Sequence, residues 1–78
     1  MNAAQLLLLA RAYADLTGLS LVRIGVKACK NDKIFVRLAA GMGASSRSVD
    51  KAAVWFAENW PENAEWPAEV PRPMASAA

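Results

Sequence analysis

Apolar residues recur along the first part of the chain at three- and four-residue intervals. Leu6, Leu9, Ala10, Tyr13 and Leu16 would fall on one face of a helix over residues 2–17. Asn2 suits the N-cap of that helix, and Gly18 after Thr17 suits its left-handed end. Leu7 and Leu8 widen the apolar stripe, so this helix lies deep in the fold or also meets a partner. Ser20 can cap a second helix over about residues 21–28, with Leu21, Ile24 and Ala28 inward and Arg23 and Lys27 outward. A break at Cys29-Lys30-Asn31 follows. Asn31 or Asp32 then caps a third helix reaching about Ala40, which buries Phe35 and Leu38 and stops at Gly41 and Gly43. Two such short helices are unstable alone and must pack on longer ones.

A longer one comes next. Ser45, Ser46 and Ser48 offer caps for a fourth helix running to about Trp60, with Val49, Ala52, Ala53, Phe56 and Trp60 at helical spacing. Trp55 lies off the centre of that stripe, at its edge or toward a partner, and Asp50 is expected in the first turn. Pro61 ends the helix. All four prolines, Pro61, Pro67, Pro71 and Pro73, lie from here on. Met74 to Ala78 read as frayed, whereas Trp66 reads as folding back onto the helices in preference to hanging free. The expected fold class is all-α: a compact domain of four helices, or five, over residues 1–67, with a flexible, proline-rich C-terminal tail over 68–78.

Composition agrees. The chain has 78 residues, enough for one domain, and 55% of them are hydrophobic, with Ala and Leu prominent. A domain of this size buries only roughly 60% of its unfolded surface, so its stability margin is thin and dimerisation would help. Histidine is absent, which removes the usual zinc ligand and the usual neutral-pH base. Cys29 is the single cysteine and reads as a small packed residue, in keeping with a reducing compartment. With no Ser-His-Asp or Cys-His set and no glycine-rich phosphate loop, catalysis is the least expected use, and no cofactor or metal is expected. Leu6 to Leu9 resemble a signal-peptide core, but no basic residue precedes them and Arg11 interrupts at once. Nothing approaches the ~18 apolar residues of a membrane span, so a soluble cytoplasmic protein without membrane contact is expected.

The net charge of +2 hides a polarised chain. Between Arg23 and Lys51 seven basic residues stand against Asp32 and Asp50. From Ala52 onward Arg72 stands alone against Glu58, Glu62, Glu65 and Glu69. A basic block spread over two short helices and the start of a third suits a phosphate backbone, although solvated helix faces carry such residues too.

The stretch from Ser20 to Leu38 resembles the helix-turn-helix of phage-repressor-like (lambda-repressor-like) regulators. Ile24 and Gly25 match the apolar-then-small pair of its first helix, Ala28 the small residue at the helix end, and Phe35 and Leu38 the anchors of its second helix. Gly25 would let the second helix cross close over the first. Two positions depart from the pattern: Cys29 stands where the turn usually has Gly, and Lys30 where an apolar residue is common. The string Lys33 to Leu38, then Gly41, Gly43, Trp55-Phe56 and Asn59-Trp60-Pro61, is similar to small bacterial and prophage proteins of that fold.

The resemblance implies a sequence-specific double-stranded DNA-binding protein, a transcriptional regulator whose recognition helix covers about residues 31–40. Asn31, Lys33, Ile34 and Arg37 would then read bases, Arg37 on guanine, Asn31 on adenine and Ile34, unless it is core, on a thymine methyl. Arg23, Lys27, Lys30 and Arg47 would bind phosphates, and Ser45 and Ser46 would add hydroxyl and backbone contacts or act simply as caps. The alternative is a protein-binding adaptor whose basic block meets an acidic partner and whose Trp55, Trp60 and Trp66 form an apolar anchor. A homodimer through the fourth helix and the Trp-containing tail would combine the two, with half-sites about 34–36 Å apart.

Overall fold

Asn2 opens the first helix with a reciprocal cap. Its side chain accepts from the Gln5 amide at 2.8 Å, and the Gln5 side chain accepts from the Asn2 amide at 3.0 Å. The computed structural model, which describes residues 1–72, has four helices and no strand among those residues. They are α1 (Ala3–Thr17), α2 (Leu21–Cys29), α3 (Ile34–Ala39) and α4 (Ser46–Asn59). The backbones of every helix pair except α3 and α4 approach closely, and those two meet through the Phe35 and Phe56 rings, in a body of 30 × 26 × 23 Å. No helix is long and apolar enough to cross a membrane.

The inward face of α1 is made by Leu6, Leu9, Ala10 and Tyr13, all buried, and Gly18 ends the helix in the left-handed conformation. Leu16, expected on the same face, is 49% exposed. It sits about 60° around the helix from Tyr13, on the rim of the stripe and at the helix end. On α4 the inward residues are Val49, Ala52, Ala53, Phe56 and Ala57, with Ser45 as N-cap. Asp50 lies one residue beyond the first turn expected for it, because the helix begins at Ser46.

Aromatic rings join α1 to α4. Phe56 is fully buried and sits between Tyr13 (5.5 Å between centroids), Trp55 (5.3 Å) and Phe35 (5.8 Å). Trp60 extends the cluster to Trp66 at 5.0 Å. Edge-on and tilted arrangements dominate, as the ring quadrupoles favour.

After Pro61 the chain turns back along this cluster instead of leaving it. The Trp60 indole N–H donates to the Glu65 carbonyl at 3.2 Å, and that of Trp66 to the Val70 carbonyl at 2.8 Å. Val70 joins the core at 3% exposure. Arg72 donates to the Ala57 carbonyl at 2.8 Å with its guanidinium 5.0 Å from the Trp66 ring centre. Residues 68–72, expected in a flexible tail, pack here against the body through Val70 and through the side chains of Gln5, Trp66 and Arg72. The remainder of the expected tail, Pro73 to Ala78, lies outside the described residues. Of the tryptophans expected to anchor a partner in the adaptor alternative, Trp60 is buried and Trp66 is half-buried with its N–H engaged.

Candidate nucleic-acid interface

Ser20 starts α2 by accepting from the Arg23 amide at 3.2 Å. Ile24, Gly25 and Ala28 face inward, which sends Arg23, Lys27 and Lys30 outward at spacings of four and three. All three cations are exposed and form a stripe on one side of the helix and its end.

The link from α2 to α3 is set by Gly25 and Lys30. A Cβ built on Gly25 would collide with the Asn31 backbone carbonyl and lie 3.1 Å from Ile34 Cγ2, so only glycine lets the turn come this close. Lys30 has φ 53°, the only left-handed non-glycine residue among those described. The special backbone position of the turn is thus Lys30, one residue after the Cys29 place where the repressor pattern has glycine. Its amide donates to the Val26 carbonyl at 3.0 Å, and the Asn31 amide to that of Gly25 at 3.2 Å.

The third helix is shorter than expected. It covers six residues, Ile34–Ala39, and neither Asn31 nor Asp32 caps it; the cap position is Lys33, which has no side-chain hydrogen bond to the helix. Asn31 Oδ1 instead accepts from the Lys33 amide at 3.0 Å, ordering the turn. Asn31 therefore stands in the turn and only Ile34, Phe35, Val36, Arg37, Leu38 and Ala39 are helical. The far end closes with Gly41 at φ 88°, whose amide donates to the Leu38 carbonyl while that of Met42 donates to Arg37, the paired bonds of a Schellman motif.

Phe35 and Leu38 anchor α3 as expected, but Ile34 joins them at 4% exposure. Ile34 is therefore removed from the base-reading set: Gly25 gives its side chain a seat against α2. Val36, 45% exposed and next to Arg37, is the apolar side chain that α3 does present to solvent. Its signal was in the register, because anchors at 35 and 38 turn positions 36 and 37 outward.

Asn31, Ile34, Arg37, Ser45 and Ser48 line one mostly polar cleft of about 200 Å³, closed by the backbone at Gly43 and Ala44. Two separate sets of expected site residues, the reading set and the start of α4, come together there. Ser45 is the working cap: it accepts from the Ser48 amide at 3.2 Å and donates to the Ser48 hydroxyl at 3.0 Å. Ser48, by sequence position only a possible cap, lines the cleft together with Arg37. Ser46 and Arg47 head α4 with amides that have no intrahelical acceptor, and both side chains are exposed. Lys33 is exposed at the start of α3. Arg23, Lys27 and Lys30 do not line the cleft; they form the separate stripe on α2.

Cys29, between stripe and cleft, is half-buried, and its thiol lies 3.7 Å from the Ser48 carbonyl. Burial pushes its pKa above the ordinary thiol value, while the nearby positive charge of Lys51 pulls the other way. Among the described residues no three His, Cys, Asp or Glu side chains gather as a metal site. Compared with known proteins, the chain matches no family model, no curated protein and no solved structure at a significant level.

Proposed function

We propose that this protein binds double-stranded DNA in a sequence-specific manner and acts as a transcriptional regulator, with α2, its turn and α3 working as a repressor-like helix-turn-helix. The observation that carries the reading is the division of this short-helix pair. Ile24, Ala28, Ile34, Phe35 and Leu38 are buried, whereas Arg23, Lys27, Lys30, Lys33 and Arg37 are all exposed. Five cations against the one acid Asp32, within the fifteen residues from Arg23 to Arg37, give a dense positive field for a phosphate backbone.

In this reading α3 enters the major groove with Arg37 on guanine O6 and N7 and Val36 against a thymine methyl. Lys33 and Asn31 reach the groove from the turn. Arg23, Lys27, Lys30 and Arg47 contact phosphates, as do the Ser46 and Arg47 amides at the head of α4, where the helix dipole favours an anion. Ser45 is occupied as the cap and supports that end from behind.

A duplex titration across salt concentrations tests the proposal. Neutralising about five phosphates per protomer gives a slope of log affinity against log salt near −4 to −5. A flat response removes DNA binding. Selection of bound duplexes from a random pool then separates a regulator, which enriches a short motif, from a binder of any duplex, which enriches none.

A further inference from the structure

Among the described residues, the outer face of α4 has no partner. Asp50 and Val54 form a ridge along it, with Val54 38% exposed. A groove runs on each side. One, of about 310 Å³, lies toward Met1, Pro71 and Arg72; the other, of about 500 Å³, lies toward Ala28 and is lined by Lys51, Trp55 and Glu58. A ridge flanked by grooves is the shape by which one helix seats on another.

The charge order along this face selects the occupant. Lys51 lies one turn before Val54 and Glu58 one turn after it, so the stripe runs basic, apolar, acidic. A second α4 laid parallel and in register would place Lys51 on Lys51 and Glu58 on Glu58. Turned end for end about a twofold axis between Val54 and Trp55, it places Lys51 of each copy opposite Glu58 of the other, and Val54 opposite Trp55. Asp50 falls opposite Asn59 and meets no like charge.

We propose that the outer face of α4 docks a second copy of this chain as an antiparallel, twofold-symmetric pair, with Val54 of each copy seated in the Lys51–Trp55–Glu58 groove of the other. The interaction is independent of the DNA reading, since none of these residues belongs to the phosphate- or base-contacting set. Because the axis makes each contact twice, each substitution acts twice.

Sedimentation equilibrium without DNA, up to about 1 mM protein where small interfaces associate, provides the test. The wild type associates to a dimer. Lys51→Glu and Glu58→Lys each convert two attractive pairs into two repulsive ones and weaken association at least about tenfold. Mixing those two variants restores dimers as a heterodimer, because both cross-pairs are then opposite in sign, and the double variant Lys51→Glu/Glu58→Lys restores the homodimer. Val54→Glu is monomeric throughout. Recovery in the mixture requires both variants to be folded, which separates loss of docking from loss of fold. A wild type that stays monomeric over the whole range, single variants that associate like wild type, or a mixture that fails to recover would each overturn the proposal.

Discussion

The two ends of this small molecule are held by different means. Where α1 meets α4, stability comes from bulk: Tyr13, Trp55, Phe56 and Trp60 share one cluster, and the returning chain adds Trp66 and Val70. In the α2–α3 pair only one aromatic ring, Phe35, is anchored, and closeness replaces bulk through Gly25. The first end is apolar and tolerates acidic residues around it. The second carries most of the exposed positive charge, a left-handed lysine and a six-residue helix. A chain of this size thus keeps its stabilising residues away from the surface proposed to work, and tethers that surface by a few close contacts.

Phe56→Ala should break the stabilising end most severely. It removes the ring shared by three helices and should lose about 3–5 kcal/mol, a large fraction of what a domain of this size has. Urea unfolding reads the loss, and DNA binding should fall only as the folded fraction falls. Gly25→Ala attacks the other end. Forcing a methyl group against the Asn31 carbonyl should destabilise by about 1–3 kcal/mol. Hydrogen exchange should show the change concentrated in α2 and α3, with amides of α1 and α4 protected; uniform loss of protection would mean that the two ends are not energetically distinct.

Arg37 and Lys27 sharpen the comparison within the charged end. Arg37→Ala should reduce discrimination between cognate and mutated sites by about 1–3 kcal/mol, whereas Lys27→Ala should weaken all duplexes alike and lower the salt slope by about 1. Equal behaviour of the two variants would count against α3 as the reading helix. Lys30→Gly should relieve the left-handed strain and stabilise the fold by about 1 kcal/mol while weakening DNA binding through the lost charge. An increase in melting temperature together with reduced affinity is the expected pair of results.

The smallest effect concerns Cys29. Its raised pKa keeps the thiol protonated at neutral pH, so alkylation should be slower than for an exposed cysteine and should rise only above the ordinary thiol range. Lys51→Glu removes the charge that favours the thiolate and should slow alkylation further. In the unfolded chain the thiol ionises at lower pH than in the folded one. Its contribution to stability is therefore present below the ordinary thiol pKa and declines as pH rises toward the folded value.

Much of this architecture was legible in the residue order. The caps at Asn2, Ser20 and Ser45, the stops at Gly18 and Gly41, and most of the inward residues of the four helices, Leu16 and Ile34 excepted, follow from local preference and periodicity. Those signals act within one or two turns of chain, and a sequence displays them directly. Contacts between distant segments, the return of Trp66 apart, left no such mark. That Ile34 is core, that Asn31 orders a turn, that Asn31, Arg37 and Ser48 share a cleft, and that Val70 and Arg72 hold the returning chain were all decided when the helices met. Periodicity specifies which face of a helix is apolar; only the approach of a second element, here one that glycine at position 25 permits, determines which residues along that face are covered.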